Sequence, residues 1–288
     1  MPLDDRAPGD GAPRAAAVTV VDGGSLSLAE LTGAFNDGYR GYIYPVSLDD
    51  AAMQRHVLYN DIDLTCSRVV IRGTPASLAL MGRRGSEAWL GGMGTAPDAR
   101  RQGLAERALT AALEAVAAAG VQTVWLEVLC PNQPAIELYQ KLGFAIDREL
   151  LVWTVGPRDG APPGAVSLDL PSARAWISAH RESREPWQRS DATLKRMSEH
   201  GALLRAWAIQ RAGETAAVAI AVEDPAAVRV LQAAAIDDDA VADVVRAVGS
   251  AGRPVRVVNF TAADSIAAAY DALPRLDETS QYEMRLSL

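Results

Sequence analysis

Apolar positions alternate or recur along the chain with periods that mark a succession of short elements. "AAAVTVV", Ala15 to Val21, reads as a strand that stops at Asp22-Gly23-Gly24. Leu28, Leu31 and Phe35 recur at helical spacing in "SLAELTGAFNDGY", and a second helix is predicted from Leu48 to Tyr59, with Ser47 and Asp50 spaced as a capping box. An aromatic loop, "YRGYIYPV", separates the two helices. Three strand-like runs start at Ser67, Ser77 and Ala88, divided by Gly, Pro and Arg turns, and predict an antiparallel meander. A helix follows from about Leu104 to Ala119. Its apolar stripe is Ala105, Ala108, Leu109, Ala112, Leu113 and Val116, and Gly120 is its stop. Thr123 to Leu129 is the next strand, "NQPAIELYQKLG" is a helix with Asn132 at its cap and Gly143 past its end, and "ELLVWTV" is a last strand.

After Val155 the pattern breaks in "GPRDGAPPGA" and then partly repeats. Aligning "PVRVVNFTAADSIAAAYDALPRL" with "TVWLEVLCPNQPAIELYQKLGF" sets Tyr270 opposite Tyr139 and Leu273 opposite Leu142, and the helical stripes coincide. Two copies are too few for a solenoid and indicate a duplicated domain. The expected division is a flexible N-terminus over 1–14, a first domain over 15–155, a linker over 156–164 and a second domain over 165–288. A length of 288 residues suits two domains.

Composition narrows the function classes. About half the residues are apolar and 22% are charged, which describes a globular chain. No apolar run approaches the length of a membrane span, and the acidic, Pro/Gly-rich start has no apolar signal core, so a cytoplasmic protein without a membrane partner is expected. Two cysteines and three dispersed histidines give neither a disulfide framework nor a metal site, so no metal is expected. A net charge of −8 argues against a nucleic-acid partner, which needs surplus Lys and Arg.

The chemistry concentrates at "RRQGLA", Arg100 to Ala105. A strand, a glycine-bearing loop and a helix start aim unpaired backbone N–H groups and a positive helix end at one spot, which suits a pyrophosphate. It is not a nucleotide P-loop, because G-x-x-x-x-G-K-[ST] is absent. By itself the loop reads equally well as a tight turn eased by Gly103 with solvated arginines.

Arg100-Arg101-Gln102-Gly103-Leu104-Ala105 fits the [QR]-x-x-G-x-[GA] motif of the GNAT superfamily of acyl-CoA N-acyltransferases, and "LEVLCPNQPAIELYQKLGF" is similar to the strand and helix that follow it there. The resemblance covers roughly Ala15 to Val155. It implies an α/β (α+β) fold: a mixed, mostly antiparallel sheet flanked by helices, here duplicated as two GNAT-like domains. It also implies acetyl-CoA as cosubstrate, with backbone amides of Arg101 to Ala105, beside Arg100, on the pyrophosphate. Backbone groups of Met93 and Thr95 would pair with the pantetheine arm, which fills the gap between two splayed strands. Asn132 matches a pantetheine contact; capping is its alternative role.

Acetyl transfer to an amine needs an uncharged amine, oxyanion support and a proton for the departing thiolate. Tyr139 is the candidate acid, because it occupies the L-Y-x-x-L-G-F tyrosine position of the family; a core tyrosine is its alternative. Glu127, a mid-strand carboxylate, is the candidate base, and its segment resembles the "LEV" strand of ribosomal-protein N-terminal acetyltransferases. An ion pair is its alternative. Tyr42 and Tyr44 with Asp37 are candidates for the acceptor side, where Asp37 would hold a cation. The expected partner is a small-molecule or peptide amine, with the chain a monomer or homodimer.

In the second half "LQAAAIDDDA" stands where the phosphate loop should be, and three consecutive acids would repel a pyrophosphate. That half reads as a GNAT unit that has lost its coenzyme site. Tyr270 is expected in its core, and "REPWQR" is a candidate contact segment. A non-catalytic acetyl-CoA sensor is the competing class. The tandem arrangement is also similar to mycothiol synthase of the same superfamily, whose active unit is the C-terminal one.

Overall fold

A computed structural model describes residues 17–288. The expected N-terminal segment 1–14 and the first two residues of "AAAVTVV" lie outside that range. The first half runs β1 (Val18–Asp22), α1 (Leu28–Tyr39), α2 (Asp50–Tyr59), β2 (Arg68–Arg72), β3 (Thr74–Arg84), β4 (Glu87–Thr95), α3 (Leu104–Ala118), β5 (Thr123–Leu129), α4 (Gln133–Lys141) and β6 (Ala145–Val155). The second runs β7 (Ala165–Leu168), α5 (Leu170–His180), α6 (Asp191–Glu199), β8 (Leu204–Arg211), β9 (Glu214–Glu223), β10 (Val228–Ala235), α7 (Asp238–Val248), β11 (Val255–Phe260), α8 (Ala267–Ala272) and β12 (Arg275–Ser287). Among the described residues no helix is long and apolar enough to cross a membrane.

The local rules explain most boundaries. Ser27 and Glu30 form a reciprocal capping box at α1. At α2 the cap is Asp49, whose carboxylate accepts from the Ala52 N–H, rather than the predicted Ser47; the chain is still extended at Asp49, so the helix starts two residues later than the spacing suggests. In α3 the buried stripe begins at Leu104, while Ala105 is half-buried. Helix α8 is shorter than its counterpart α4 because Leu273 precedes Pro274, and the residue before a proline is pushed out of the helical region.

The twelve strands of the described residues form one sheet in the order β1-β2-β3-β4-β5-β12-β6-β11-β10-β9-β8-β7. The predicted meander β2-β3-β4 is antiparallel, and β4 pairs with β5 in parallel, as β10 does with β11. The linker divides the chain but not the sheet. Strand β12 returns to pair with β5, and β6 pairs with β11, so each half lends its last strand to the other. Each half ends with one strand after its last helix; the exchange covers the edge that β5 or β11 would otherwise expose.

Helices α3 and α4 cover one face of the first half around Leu109, Val116 and Phe144, and α1 and α2 cover the other around Leu31, Phe35 and Trp89. The "REPWQR" segment locks the second half onto that α1/α2 face. Trp187 stacks on Trp89 with ring centroids 6.2 Å apart, and its indole N–H donates to the Asn60 carbonyl. The Arg84 guanidinium lies 4.1 Å above the Trp187 ring and bonds Asp61, Ser190 and Thr193. Truncating Trp187 to Ala removes a buried aromatic together with the bond to Asn60. The expected loss is about 3–5 kcal/mol in urea unfolding; a loss under about 1 kcal/mol would show that this contact does not hold the halves together.

Candidate active site

Strands β4 and β5 stay paired only as far as Trp89 opposite Trp125, although both run several residues further. A bulge in β4 between its pairings with Met81 and Leu80 turns the strand away there, and the extra residue is Gly91. A Cβ on Gly91 would lie 2.4 Å from the Trp89 ring, so only glycine fits under that indole. Beyond the bulge α1 crosses β4 backbone to backbone, since a Cβ on Gly38 would come within 2.8 Å of Gly94 Cα. The diverging strands, α1, the aromatic loop and α4 enclose a cleft of about 740 Å³.

The N-caps of α1, α2, α5, α6 and α7 each have a side chain that accepts from a backbone N–H, whereas α3, α4 and α8 start without one. Helix α3 starts at Gly103 with φ +74° and no side-chain cap, and Arg101 before it also has a positive φ of +58°. Among the described residues this turn leaves the first amides of α3 without partners, the arrangement that receives an anion. Arg100 is tied down: its Nε–H donates to the Thr95 carbonyl and its guanidinium to the Arg40 carbonyl, joining the loop to the end of α1. Gln102 accepts from Arg72 and donates to the Asp98 carbonyl. Leu104 places its side chain in the core, so it can offer only its backbone.

Met93, Thr95, Arg100, Ala105, Glu127, Asn132, Tyr139, Tyr42 and Tyr44 all line the cleft. Asp37 does not: it is exposed and paired with Arg40 one helical turn away, so its charge is taken up at the surface. Asn132 stands at the α4 cap position without a side-chain capping bond, and its side chain faces Tyr42. The Met93 N–H donates to the Tyr39 hydroxyl at 3.4 Å. Burial pushes the Tyr39 phenol up to about 12, raises Tyr42, and raises Tyr139 further, with the Tyr39 and Tyr42 phenols adding to the effect. Tyr139 is 7% exposed and meets Phe144 edge-on, so the core packing and the cleft position occur together.

Glu127 projects from β5 on the α1/α2 face. Its Oε2 accepts from the Trp89 indole N–H at 2.6 Å, and its Oε1 is buried without a partner. Burial, followed by the negative charge of Glu283, pushes its carboxyl up to about 7, against the opposing pull of Trp89, Arg184 and Arg148. A carboxylate poised near neutrality in a cleft can exchange a proton with an amine.

Several lining residues have no counterpart in the sequence reading. His56 on α2 is half-buried beside the Gly91 backbone, and burial lowers its pKa. Arg256, Thr279, Gln281 and Gln188 come from the second half. The alternation Thr279, Gln281, Glu283 would show that these polar residues share one face of a strand; only the strand order shows which cleft they face.

The acetyltransferase (GNAT) family model matches residues 35–144. The chain is 32% identical over 120 residues to the [ribosomal protein bS18]-alanine N-acetyltransferase of Escherichia coli K12, which covers 42% of this chain and 78% of that protein. The chain belongs to the GNAT acetyltransferase family. Its match to a GCN5-related N-acetyltransferase from Sphaerobacter thermophilus covers 94% of this chain and 95% of that one, with a TM-score of 0.68 at 13% identity. A tandem GNAT protein from the clavulanic acid biosynthesis pathway matches over 94% of this chain and 98% of its own, with a TM-score of 0.63 at 12% identity. These two likenesses extend the GNAT fold over both halves. As a GNAT enzyme the chain is an acyltransferase, and the family implies acetyl-CoA as cosubstrate. The second half departs from the expected pattern at Tyr270, which is half-buried against Trp153 with its hydroxyl on Glu278 instead of lying in the core.

Proposed function

We propose that the first half carries the reaction, transferring an acetyl group from acetyl-CoA to a primary amine by direct attack. Glu127 is the observation that carries this reading: a half-buried carboxylate poised near neutrality, on the cleft wall just past the point where β4 and β5 part. The uncapped start of α3 suits the pyrophosphate, and the glycine-rich end of β4 leaves room for the pantetheine arm. Acetyl-CoA supplies the activated thioester. Glu127 accepts the proton from the acceptor's ammonium group, and Tyr139, held protonated by burial, donates one to the departing thiolate. Replacing Tyr139 with Phe is expected to lower kcat about 10-fold or more while the acetyl-CoA Kd stays within about twofold; an unchanged kcat would remove Tyr139 from the mechanism.

The second half supports a reading of one coenzyme per chain. Its equivalent helix α7 is capped by Asp237, which accepts from the Ala240 N–H. The gap where β10 and β11 part is occupied by Arg189, which is buried and donates to the carbonyls of Leu231 on one strand and Asn259 on the other, with Glu185 as its counter-ion. The second half contributes instead to the acceptor cleft.

The relative's name gives an alanine of ribosomal protein bS18 as what it N-acetylates, so alanine-terminated peptides belong in the first set of amines tested. Arg256, Thr279 and Gln281 lie outside the family match at 35–144 and set this cleft apart. Thiol release from acetyl-CoA with alanine-terminated peptides, amino acids, polyamines and aminoglycosides tests the proposal. Turnover with one class names the acceptor; tight acetyl-CoA binding with no turnover on any amine would favour a sensor.

A further inference from the structure

We propose that Glu283, carried in by the exchanged C-terminal strand, is a positioning residue for Glu127, whose proton affinity is thereby set by the second half of the chain. The inference rests on the reading of Glu127 as the base. Glu283 lies directly opposite Glu127 in the antiparallel pairing of β12 with β5, so both side chains leave the same face of the sheet. Glu283 has no exposed surface. Its Oε2 accepts from Arg148 Nε–H at 2.6 Å and from an Arg184 guanidinium N–H at 2.7 Å. Two guanidiniums thus meet on one buried carboxylate by charge-assisted hydrogen bonds. Glu283 Oε1 and Glu127 Oε1 are both buried and take no hydrogen bond from the described residues.

The surroundings of Glu127 are otherwise sparing in charge. From β4 it receives the neutral Trp89 indole, and the half-buried His56 of α2 and the Tyr139 phenol of α4 line the same cleft. Arg148 on β6 and Arg184 before α6 donate hydrogen bonds to Glu283 and oppose its effect on Glu127 through space, and Arg184 is held by stacking 3.9 Å over Trp125. Glu87 and Arg285 lie further along, on the Trp125 ring. The Glu283 carboxylate facing it therefore disfavours a second charge on Glu127 and strengthens its hold on a proton, as a base acting on an ammonium requires. A first half folded alone would lack this acid, which gives the exchanged strand a chemical role beyond covering an edge.

The Trp89 indole N–H, bonded to Glu127, gives a readout independent of turnover. Its ¹⁵N–¹H resonance, assigned by its loss in Trp89→Phe, is followed against pH in the full-length protein. In the wild type it is expected to titrate with a midpoint near 7, and in Glu127→Gln this titration should vanish. Glu283→Gln removes the charge while keeping an acceptor for the arginines, and should move the midpoint down by about one pH unit or more. Arg184→Gln removes a compensating charge and should move it up. Opposite shifts establish the coupling, whereas loss of packing has no reason to reverse sign between the two variants. An unmoved midpoint in folded Glu283→Gln, or shifts of the same sign in both variants, would overturn the proposal. If Glu283→Gln does not fold, the sign of the Arg184→Gln shift decides. The acid limb of kcat/KM separates the two claims: if it persists in Glu127→Gln, Glu127 is not the base, while the resonance still reports whether Glu283 tunes it.

Discussion

Replacing Glu127 with Gln is expected to lower kcat/KM for the amine acceptor by about 10²- to 10⁴-fold, the range lost with a general base, while acetyl-CoA still binds. The pH dependence gives the sharper signature. With its carboxyl pushed up to about 7, Glu127 is protonated and unable to accept a proton in mildly acidic solution. The wild-type kcat/KM should therefore fall as the pH drops through about 7, and the Gln variant should lose that limb. Stability should move the other way. A carboxyl whose folded pKa lies above its unfolded value favours the folded state below the unfolded value, near 4.5, and loses that contribution as the pH rises through about 7. Glu127→Gln should accordingly gain Tm relative to the wild type at pH 8 and show a smaller gain, or none, at pH 5. A variant retaining both the rate and the acid limb would exclude Glu127 from proton transfer.

The second large effect is expected at the start of α3. Gly103 has φ +74° with no atom within 4 Å of a Cβ placed on it, so a side chain fits the space but not the backbone conformation. Gly103→Ala should carry only the strain of a left-handed residue, about 1–2 kcal/mol. Gly103→Glu adds a carboxylate beside the amides proposed to hold the pyrophosphate. At a separation of about 4 Å near a surface, two like charges repel by about 4 kcal/mol, so calorimetry should show acetyl-CoA affinity weakened by about 100-fold or more. The wild type should bind one coenzyme per chain. Asp237→Ala, which uncaps the equivalent helix, should leave that stoichiometry unchanged, because Arg189 still joins β10 to β11. Two coenzymes per wild-type chain, or full affinity in Gly103→Glu, would rule out the proposed loop.

The local elements of the first half could be read from the chain because their causes are local. Helix α3 follows from a 3.6-residue apolar period ending at Gly120, strand β5 was expected over the same residues that form it, and the turn before α3 from a glycine whose φ is positive. The match of "PVRVVNF" to "TVWLEVL" marked a repeated strand in each half, β5 and β11, and the structure gives each a parallel partner, β4 and β10. Where two local signals competed, as Ser47 and Asp49 did for the cap of α2, the spacing chose the wrong residue. Asp37 shows another limit: a carboxylate near an aromatic loop suits a cation, but the nearest cation was Arg40 on its own helix.

Long-range placement followed a different logic. Periodicity reports which face a side chain takes, and two antiparallel strands in either order share the same pattern of faces. Nothing between residues 275 and 287 indicates that this segment pairs with β5 rather than staying in its own half. That pairing covers an edge left open by the shortness of each half, and only the assembled sheet exposes such an edge. It brings Glu283 opposite Glu127, places Gln281 and Thr279 in the cleft, and lets Arg184 reach across from the second half. The sequence by itself determined the GNAT elements, the glycine turn and the carboxylate at position 127. Tertiary structure alone decided what surrounds that carboxylate, because its proton affinity depends on burial and on the charges of Glu283, Arg184 and Arg148, none of which is its neighbour in the chain.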